Sequence, residues 1–581
     1  MPDKPESKSR RHLSGEERFF LIVSLIIALQ AAMMVYLGFL KSGFHVDEIW
    51  TYAHSNSFFR PYLYESLESD SKISLEEDSF FNKWVDSGEY SAYVTLTQGE
   101  RFRYDSVFYN LAKSVHPPFY HVLIHTLYSF FPGGIDKWYG LSLNILFFIL
   151  CQFVLVVLSL RLTGSKTVAL LSILLWGFGT SAINNVMFIR MYVLLALFVL
   201  LFTYFSYQLF AAQTVAKKDM LGLFLATFLG SLTQHYFLIF AFLLTYLLAT
   251  HLATRKQLRR ALLLGGIALL GVAASVLVFP ATITHLFSSY RGQEAIGNFG
   301  YTTLITGDNR LYLYFSTILR ELLGIGLPDT DLAAKLFTYL FYGCCLTIGL
   351  LLIRYLYKNR RKRRSAAAPE STPASEAGKF PAFLAVSVLV YVFIIAKISP
   401  LMGMYTDRYV FCIFPLLAWF AALGIHAVVS KFVKNQRVAV FTSFAIGMAF
   451  IALCHITNDK YYRSIYLFTD TISGEQLSVL SGANCIIYPK PVHNIHAWAG
   501  ELSQCKQVLT TYSEDVRAFS DAVQSLGPNQ QVLLIIDLTY IPEHILDSFE
   551  QNTNFTENQF LFSGYFSNDD YAFYLLQAPG K

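Results

Sequence analysis

The residues best suited to chemistry in this sequence are two adjacent carboxylates that closely follow its first apolar segment. Asp47 and Glu48 come shortly after Phe19–Leu40, an uncharged run long enough to cross a bilayer. Carboxylates at the end of a membrane helix are costly unless they have a partner or a function. We predict that Asp47 is the general base of a membrane-embedded enzyme and that Glu48 orients groups or binds a cation beside it. The structural alternative is that both are first-turn acids of a helix that begins near Ile49.

Four further motifs place a basic side chain beside prolines or a tyrosine near the end of an apolar segment: His116-Pro117-Pro118, Arg190-Met191-Tyr192, Gln234-His235-Tyr236 and Asp407-Arg408-Tyr409. A guanidinium can bind a phosphate through two parallel hydrogen bonds, and prolines fix the backbone beside a histidine. The structural alternatives are snorkelling for Arg190, an interhelical hydrogen bond for His235 and an internal salt bridge for Arg408. Each motif is unspecific alone, but all are predicted to lie on one face of the membrane, which favours a shared site.

Histidines and cysteines define no metal or redox site in the sequence. His116, His121 and His125 lack the glutamate of an HExxH zinc motif, so we assign no metal ligands. A divalent cation stays an open alternative, and no cofactor is assigned. Cys485 and Cys505 could form a disulfide if the region around them faces an oxidising compartment.

The composition is that of a polytopic membrane protein with some soluble mass. Of the 581 residues, 54% are hydrophobic and only 15% are charged, whereas soluble domains carry about a quarter charged residues. Eleven segments are predicted to cross the membrane: Phe19–Leu40, Trp138–Leu160, Thr167–Ile189, Met191–Ala212, Met220–Gln234, Tyr236–Ala253, Ala261–Pro280, Leu332–Tyr357, Phe380–Ile398, Tyr409–Val429 and Val438–Ile456.

Lysines and arginines predict the orientation of these segments. They lie in the N-terminal tail and in alternate loops, which the positive-inside rule assigns to the cytoplasm. Counting Pro117–Phe131 as a span would reverse every later loop, so we predict a short re-entrant or interfacial helix there. The predicted parts of the chain are a cytoplasmic tail at 1–18, a membrane domain at 19–457 with outer loops at 41–137 and 281–331 and a basic disordered cytoplasmic loop at 358–379, and an outer domain at 458–581.

The C-terminal region has the pattern of a small α/β domain with a parallel or mixed sheet. No glycine-rich phosphate loop occurs in it. The predicted strands are Asn484–Tyr488, Gln507–Tyr512, Gln531–Leu538 and Tyr571–Leu576, separated by helices at Glu475–Leu480, Glu514–Leu526 and Pro542–Phe549.

Taken in order, these motifs resemble those of a known enzyme family. The Asp-Glu pair after the first span, His-Pro-Pro-Phe-Tyr, Arg-Met-Tyr, Gln-His-Tyr-Phe, and Asp-Arg-Tyr with the later Pro415 are similar to the bacterial dolichyl-phosphate-mannose–protein mannosyltransferase-like enzymes. These are C-type integral-membrane glycosyltransferases (GT-C), to which the aminoarabinose transferase of lipid A is related. The resemblance covers roughly Phe19 to Ile456 and does not extend to the C-terminal region.

The resemblance implies a GT-C fold and an inverting transfer of a sugar from a polyprenyl-phosphate carrier on the outer face of the membrane. On that basis Asp47 matches the catalytic aspartate, and His116 matches the position that approaches the carrier phosphate. The lipid A relatives have a lysine at that position and an arginine three residues after the aspartate, where this chain has Trp50. The acceptor therefore need not be lipid A.

Sequence and resemblance together predict an all-α polytopic membrane glycosyltransferase with a small C-terminal α/β domain. Its expected partners are a polyprenyl-phosphate-linked sugar, an acceptor hydroxyl on protein, lipid or envelope glycan, and membrane lipid, but no nucleic acid. Two alternatives stay open: a polymerase or ligase of surface polysaccharide, and a non-enzymatic transporter or flippase of lipid-linked sugars. The predicted substrate-binding residues are Glu48, His116, Arg190, Tyr192, His235, Tyr236 and Arg408, with Asp47 as the base.

Overall fold

The computed structural model describes most of the chain, as a bundle of long helices and a smaller domain built on a six-stranded sheet. The described residues are 14–65, 75–76, 80–212, 214–301, 310–328, 330–340, 343, 350, 354, 377–400, 403–457, 465–467, 471–527, 530–567 and 569–578.

The described α-helices, in chain order, are α1 (Gly15–Leu40), α2 (Val46–Asn56), α3 (Ser87–Val94), α4 (Tyr104–Ala112), α5 (Phe119–Phe130), α6 (Lys137–Thr163), α7 (Lys166–Gly177), α8 (Thr180–Met187), α9 (Tyr192–Ala211), α10 (Lys217–Ser231), α11 (Tyr236–Thr254), α12 (Leu258–Val278), α13 (Ala281–Phe287), α14 (Tyr290–Tyr301), α15 (Arg310–Leu323), α16 (Phe380–Ile398), α17 (Phe414–Phe432), α18 (Gln436–Thr457), α19 (Gly474–Leu477), α20 (Ala499–Leu502), α21 (Ser520–Gln524) and α22 (Pro542–Asn552). A 3₁₀ segment, Gly403–Ile413, leads directly into α17.

Eight of the described helices are long and apolar enough to cross a membrane: α1, α6, α9, α11, α12, α16, α18, and α17 together with the end of its 3₁₀ segment. A ninth crossing results if α7 and α8, which meet at 56°, form one bent span. The bend falls at Gly179, where a Cβ would lie 2.7 Å from the carbonyl oxygen of Leu175. The predicted class of a helical polytopic membrane protein is therefore confirmed.

Two predicted crossings differ from this set. The segment at Met220–Gln234 belongs to α10, whose 15 residues are fewer than a span normally needs. Leu332–Tyr357 lies largely outside the described residues, although 331–340 are helical. Pro117–Phe131 contains the 12-residue α5, so the predicted short helix is present, and its re-entrant or interfacial placement stays a prediction.

The sheet is mixed and takes one strand from the first loop. Its strand order is β3-β5-β4-β6-β8-β7, with β4 parallel to β5 and β6 and the other neighbours antiparallel. Strands β4, β5, β6 and β8 match the predicted ones, whereas β3 and the edge strand β7 were not predicted. The strands are β3 (Trp84–Asp86), β4 (Asn484–Tyr488), β5 (Gln507–Thr510), β6 (Val532–Asp537), β7 (Glu557–Phe566) and β8 (Asp569–Gln577), and a separate parallel pair joins β1 (Tyr64–Glu65) to β2 (Leu75–Glu76).

Helix α2 connects the membrane bundle to the sheet domain. Its Tyr52 belongs to the apolar core of the bundle, whereas Ile49 and Ala53 belong to the core beneath the sheet. Two hydrogen bonds reinforce this contact: Leu63 N donates to His496 Nε2 at 3.4 Å, and Ser567 Oγ donates to the Phe44 carbonyl at 2.7 Å. Because side chains of α2 are buried in both cores, the sheet domain helps to fix the helix that carries Asp47.

The two cysteines of the sheet domain are free, buried thiols that lie side by side. Burial, reinforced by Cys505, raises the pKa of Cys485 well above its usual value. The structure therefore contains no disulfide between Cys485 and Cys505.

The predicted orientation can be tested with two exposed positions. Gly134→Cys, in the loop between α5 and α6, should react with a membrane-impermeant maleimide in intact cells, because that loop is predicted to face outward. Lys434→Cys, between α17 and α18, should react only after lysis. Labelling of Lys434→Cys in intact cells and of Gly134→Cys only after lysis would show that the predicted orientation is wrong. The five described native cysteines are buried and provide a low background.

Candidate functional site

A cavity of about 550 Å³ lies where the first loop meets the bundle. Seven of the eight predicted site residues line it, and Glu48 does not. One part of the wall is polar or aromatic, and the other is aliphatic with residues from α11 and α16. The predicted residues in the wall are Asp47, His116, Arg190, Tyr192, His235, Tyr236 and Arg408.

Asp47 is held in the first turn of α2. His45 caps this helix, and its Nδ1 accepts a hydrogen bond from the Asp47 amide at 3.1 Å. The Asp47 carboxylate accepts a short hydrogen bond from Arg408 Nη1, and its side chain is 15% exposed. Among the described residues that line the cavity, Asp47 is the only carboxylate.

The charges around Asp47 keep it ionised. Burial alone would raise its pKa, but the positive charge of Arg408, with smaller effects from His45 and Arg190, outweighs burial and holds the pKa well below its usual range. Burial lowers the pKa of the neighbouring His45 to about 4, so this ring is neutral near pH 7 and accepts from the backbone. The Asp47 carboxylate is thus ionised at any ordinary pH.

Glu48 lies outside the cavity wall and has a structural environment. Its side chain is fully buried and accepts hydrogen bonds from Lys41 Nζ at 3.0 Å and from the backbone N–H groups of His45 at 2.8 Å and Ile189 at 2.6 Å. Burial raises its pKa, while Lys41 and the two amides oppose that rise. Glu48 therefore completes the capping box of α2 and ties this helix to Ile189, as the structural alternative anticipated.

Arg190 is a buried cation without a carboxylate partner among the described residues. Its Nη1 donates to the Asp47 carbonyl at 2.8 Å and to Thr51 Oγ1 at 2.9 Å, and Nη2 contacts His116 Nε2 at 2.7 Å. Its Nε is buried and has no hydrogen-bond partner in the described part of the chain. Neutral acceptors hold the guanidinium in place but leave its charge uncompensated.

His116 positions Arg190 instead of presenting a donor to the cavity through Nε2. Because arginine can only donate, Nε2 of His116 must accept and the ring is neutral. Burial, helped by the charge of Arg190, lowers the pKa of His116 well below its usual value, in agreement with this assignment. The resemblance placed His116 near the carrier phosphate, whereas the structure directs its Nε2 at Arg190.

The remaining predicted residues, Tyr192, His235 and Tyr236, also line the cavity. Tyr192 stacks on Phe188, with ring centroids 5.8 Å apart, and the rings of Tyr236 and Tyr409 lie edge to face at 5.8 Å. His235 Nε2 lies 3.3 Å from His285 Nδ1, and burial lowers the pKa of His235 to about 3. These side chains add polar edges and ring faces to the cavity but no further charge.

Tyr466 is a residue that the sequence analysis missed. Its backbone carbonyl accepts from Lys41 Nζ at 2.8 Å, and its hydroxyl donates to Asp407 Oδ1 at 2.6 Å. Asp407 is thus bound to Tyr466 while Arg408 is paired with Asp47, so the structural alternative of an ion pair between Asp407 and Arg408 is not what the described contacts show. Lys41 binds Glu48 of α2, and Tyr466 binds both Lys41 and Asp407. These contacts connect α2 to the 3₁₀ segment that carries Arg408.

Within the described part of the chain, no three His, Cys, Asp or Glu side chains are arranged to hold a metal ion.

No protein-family model matches the chain, and no significant relative is found among curated protein sequences. Among solved structures, the chain is similar to ArnT from Cupriavidus metallidurans bound to undecaprenyl phosphate, at 11% identity and a TM-score of 0.49, over 95% of this chain and 97% of that one. The apo structure of the same protein gives 11% identity and a TM-score of 0.46, over 84% and 93%. At 11% identity, residue roles do not transfer, and the function of this chain rests on its own cavity.

The buried pair of Lys41 and Glu48 makes a prediction about stability. Lys41→Met should lower the thermal midpoint of the purified protein markedly, because it leaves Glu48 buried without its cation, at a cost of about 3–5 kcal/mol. The double variant Lys41→Met/Glu48→Gln should recover part of that loss. Lys166→Met, which breaks an exposed pair with Glu16, is the matched control and should change the midpoint little. Equal midpoints for Lys41→Met and Lys166→Met would contradict the structural role of the buried pair.

Proposed function

We propose that this chain is an inverting glycosyltransferase that moves a sugar from a polyprenyl-phosphate carrier to an acceptor hydroxyl on protein, lipid or envelope glycan. The observation that carries the proposal is the composition of the cavity wall. Two buried guanidiniums and one carboxylate meet at its polar part, and an apolar surface continues from them between two membrane helices.

The charges of the polar part favour a phosphate ligand. Arg190 and Arg408 contribute two positive charges, and Asp47 contributes one negative charge. Arg291 also lines the cavity but is paired with Glu294, so among the described residues one positive charge is uncompensated. A buried charge without a partner is costly, and a bound anion would remove that cost. The phosphodiester of a lipid-linked sugar carries a single negative charge and accepts hydrogen bonds from arginine, which matches both requirements.

The apolar part favours a lipid on that phosphate. Leu238, Ile239 and Phe242 of α11 and Ile394 and Ile398 of α16 line it. Phe242 is 66% exposed on a helix that is apolar enough to lie in the bilayer. An isoprenoid chain could therefore enter from the membrane and keep its tail in an apolar environment.

The proposed reaction needs one base and no general acid. The acceptor oxygen forms a bond to the anomeric carbon as its proton passes to the Asp47 carboxylate. The bond between the anomeric carbon and the phosphate oxygen breaks on the opposite side of the sugar, which inverts the configuration. Polyprenyl phosphate leaves as an anion, and Arg190 and Arg408 stabilise the charge that develops on it.

The pairing of Asp47 with Arg408 regulates the strength of this base. A carboxylate held by a guanidinium is a weak base, because the cation stabilises its ionised form. When a phosphate shares Arg408, it withdraws part of that stabilisation and adds a negative charge near Asp47. Both effects raise the pKa of Asp47, so donor binding would activate the base.

The position of the cavity supports a reaction on the outer face of the membrane. Asp47 follows the end of α1 that is opposite the basic N-terminal tail, and Arg190 precedes α9 at the same side of the bundle. The positive-inside pattern assigns the other side to the cytoplasm. Polyprenyl-phosphate sugars on the outer leaflet would then reach the cavity without crossing the bundle.

Asp47→Asn should abolish transfer while the protein still folds, because the amide keeps the shape of the side chain but cannot accept the proton. A general base is worth about 10²–10⁴ in rate. The measurement is sugar release from a polyprenyl-phosphate sugar in membranes that contain equal amounts of each variant. Asp136→Asn is the matched control, since Asp136 caps α6 nearby and asparagine caps equally well.

Arg190→Ala in the same assay separates binding from chemistry. Loss of this guanidinium should weaken donor binding as well as turnover, whereas Asp47→Asn should leave donor binding intact. Transfer by Asp47→Asn at a rate near that of the wild type would contradict the proposed base.

A further inference from the structure

We infer that the cavity contains a chamber for the sugar of the donor, and that the chamber selects a sugar without a positive charge. The sugar chamber consists of Trp50, His54, Tyr62 and Ser114. This inference rests on the proposed function and adds the class of sugar, which no motif in the sequence indicated.

The sugar chamber continues from the base along one face of α2. Asp47, Trp50 and His54 are separated by three and four residues, so their side chains share a helix face, and all three line the cavity. Seven residues of helix advance about 10 Å. The chamber therefore begins at the reacting group and extends away from it along the helix.

Two side chains of the sugar chamber have polar atoms without partners. His54 is 3% exposed, and neither of its ring nitrogens makes a well-formed hydrogen bond to a described residue; the Pro61 carbonyl is close enough to affect its pKa but does not complete such a bond. Trp50 Nε1 is likewise buried and has no partner in the described part of the chain. Buried polar atoms are normally paired, so this concentration beside the base indicates a ligand that supplies the missing partners.

A sugar hydroxyl matches what these atoms require. Burial, with smaller effects from Arg190 and His496, lowers the pKa of His54 to about 3 against the opposing effect of the Pro61 carbonyl. The ring is therefore neutral and offers one donor and one acceptor, while the indole offers one donor. Hydroxyls both donate and accept, so they can satisfy either side chain. Carboxylates or phosphates would leave the acceptor nitrogen of His54 unpaired.

The absence of a second carboxylate among the described lining residues disfavours a cationic sugar. Asp47 is bound to Arg408, and the charge of Arg190 lies close enough to His54 to lower its pKa. An ammonium group in the sugar chamber would meet this positive charge without a carboxylate to balance it. The wall therefore favours a neutral hexose or pentose.

The sheet domain supports the aromatic wall of the sugar chamber. The rings of His493 and His496 lie 6.2 Å and 5.8 Å from the Trp50 ring and hold it from the side of that domain. Tyr62 donates its hydroxyl to the Lys113 carbonyl at 3.2 Å, and its ring lies edge to face with His54 at 6.0 Å. An indole fixed in this way can stack against the apolar face of one sugar ring.

The test compares ligands that share the carrier and differ in the sugar. Full-length protein in lipid nanodiscs would be titrated with sugar-free polyprenyl phosphate and with conjugates that carry a neutral hexose, a neutral pentose or an amino sugar. The wild type should bind at least one neutral conjugate about tenfold more tightly than the amino-sugar conjugate. Trp50→Phe, which keeps the ring face but removes the N–H, and His54→Leu should each reduce that preference about tenfold, the effect of one lost hydrogen bond. Both should bind sugar-free carrier within about twofold of the wild type.

His125→Leu is the matched control. His125 is as buried as His54 and lies near it, but its Nδ1 contacts the Ser55 carbonyl at 2.7 Å and it does not line the cavity. Loss of the His125 ring should leave the preference for neutral over amino-sugar conjugates unchanged. Equal binding of all conjugates by the wild type, or an unchanged preference in both Trp50→Phe and His54→Leu, would overturn the inference alone. Failure of the wild type to bind sugar-free carrier would overturn the proposed function and this inference with it.

Discussion

The ion pair between Asp47 and Arg408 joins two distant parts of the chain at the centre of the site. Asp47 stands on α2, immediately after the first membrane helix, and Arg408 stands on the 3₁₀ segment that leads into α17. Removing either partner would leave a buried charge, so the two segments must stay together. Around this pair, Tyr466 binds both Asp407 and Lys41, and Lys41 neutralises Glu48. The charges of the two ion pairs therefore neutralise each other, whereas Arg190 has only neutral partners among the described residues.

The uncompensated charge of Arg190 raises the free energy of the empty site, and a bound anionic substrate would lower it. Hydrogen bonds to His116, Thr51 and the Asp47 carbonyl orient the guanidinium without neutralising it. An uncompensated guanidinium would attract an anion. Because its hydrogen bonds already orient it, little reorganisation would be needed when the anion binds, which is the condition for efficient electrostatic stabilisation. The sheet domain contributes to the same preparation, because its core holds Ile49 and Ala53 on the reverse side of α2.

Much of the fold could be predicted because hydrophobic length and basic-residue placement are strong signals. Phe380–Ile398 was predicted to the residue, and strand β4 likewise. Short elements such as β3 carry too few residues for a pattern, and the partner that makes β3 a strand lies more than 400 residues away. At the site, residue types identified Asp47 and Arg190. The partners of Glu48 and Asp407 could not be predicted, because tertiary contacts decide whether a carboxylate faces a cavity or a lysine.

The central claim is that Arg190 and Arg408 bind a lipid phosphate beside Asp47. An experimental structure of the protein in a nanodisc with sugar-free polyprenyl phosphate tests it most directly. The account predicts phosphate oxygens within hydrogen-bond distance of both guanidiniums and an isoprenoid chain that passes between α11 and α16. A phosphate bound elsewhere, with the cavity beside Asp47 empty, would contradict the account.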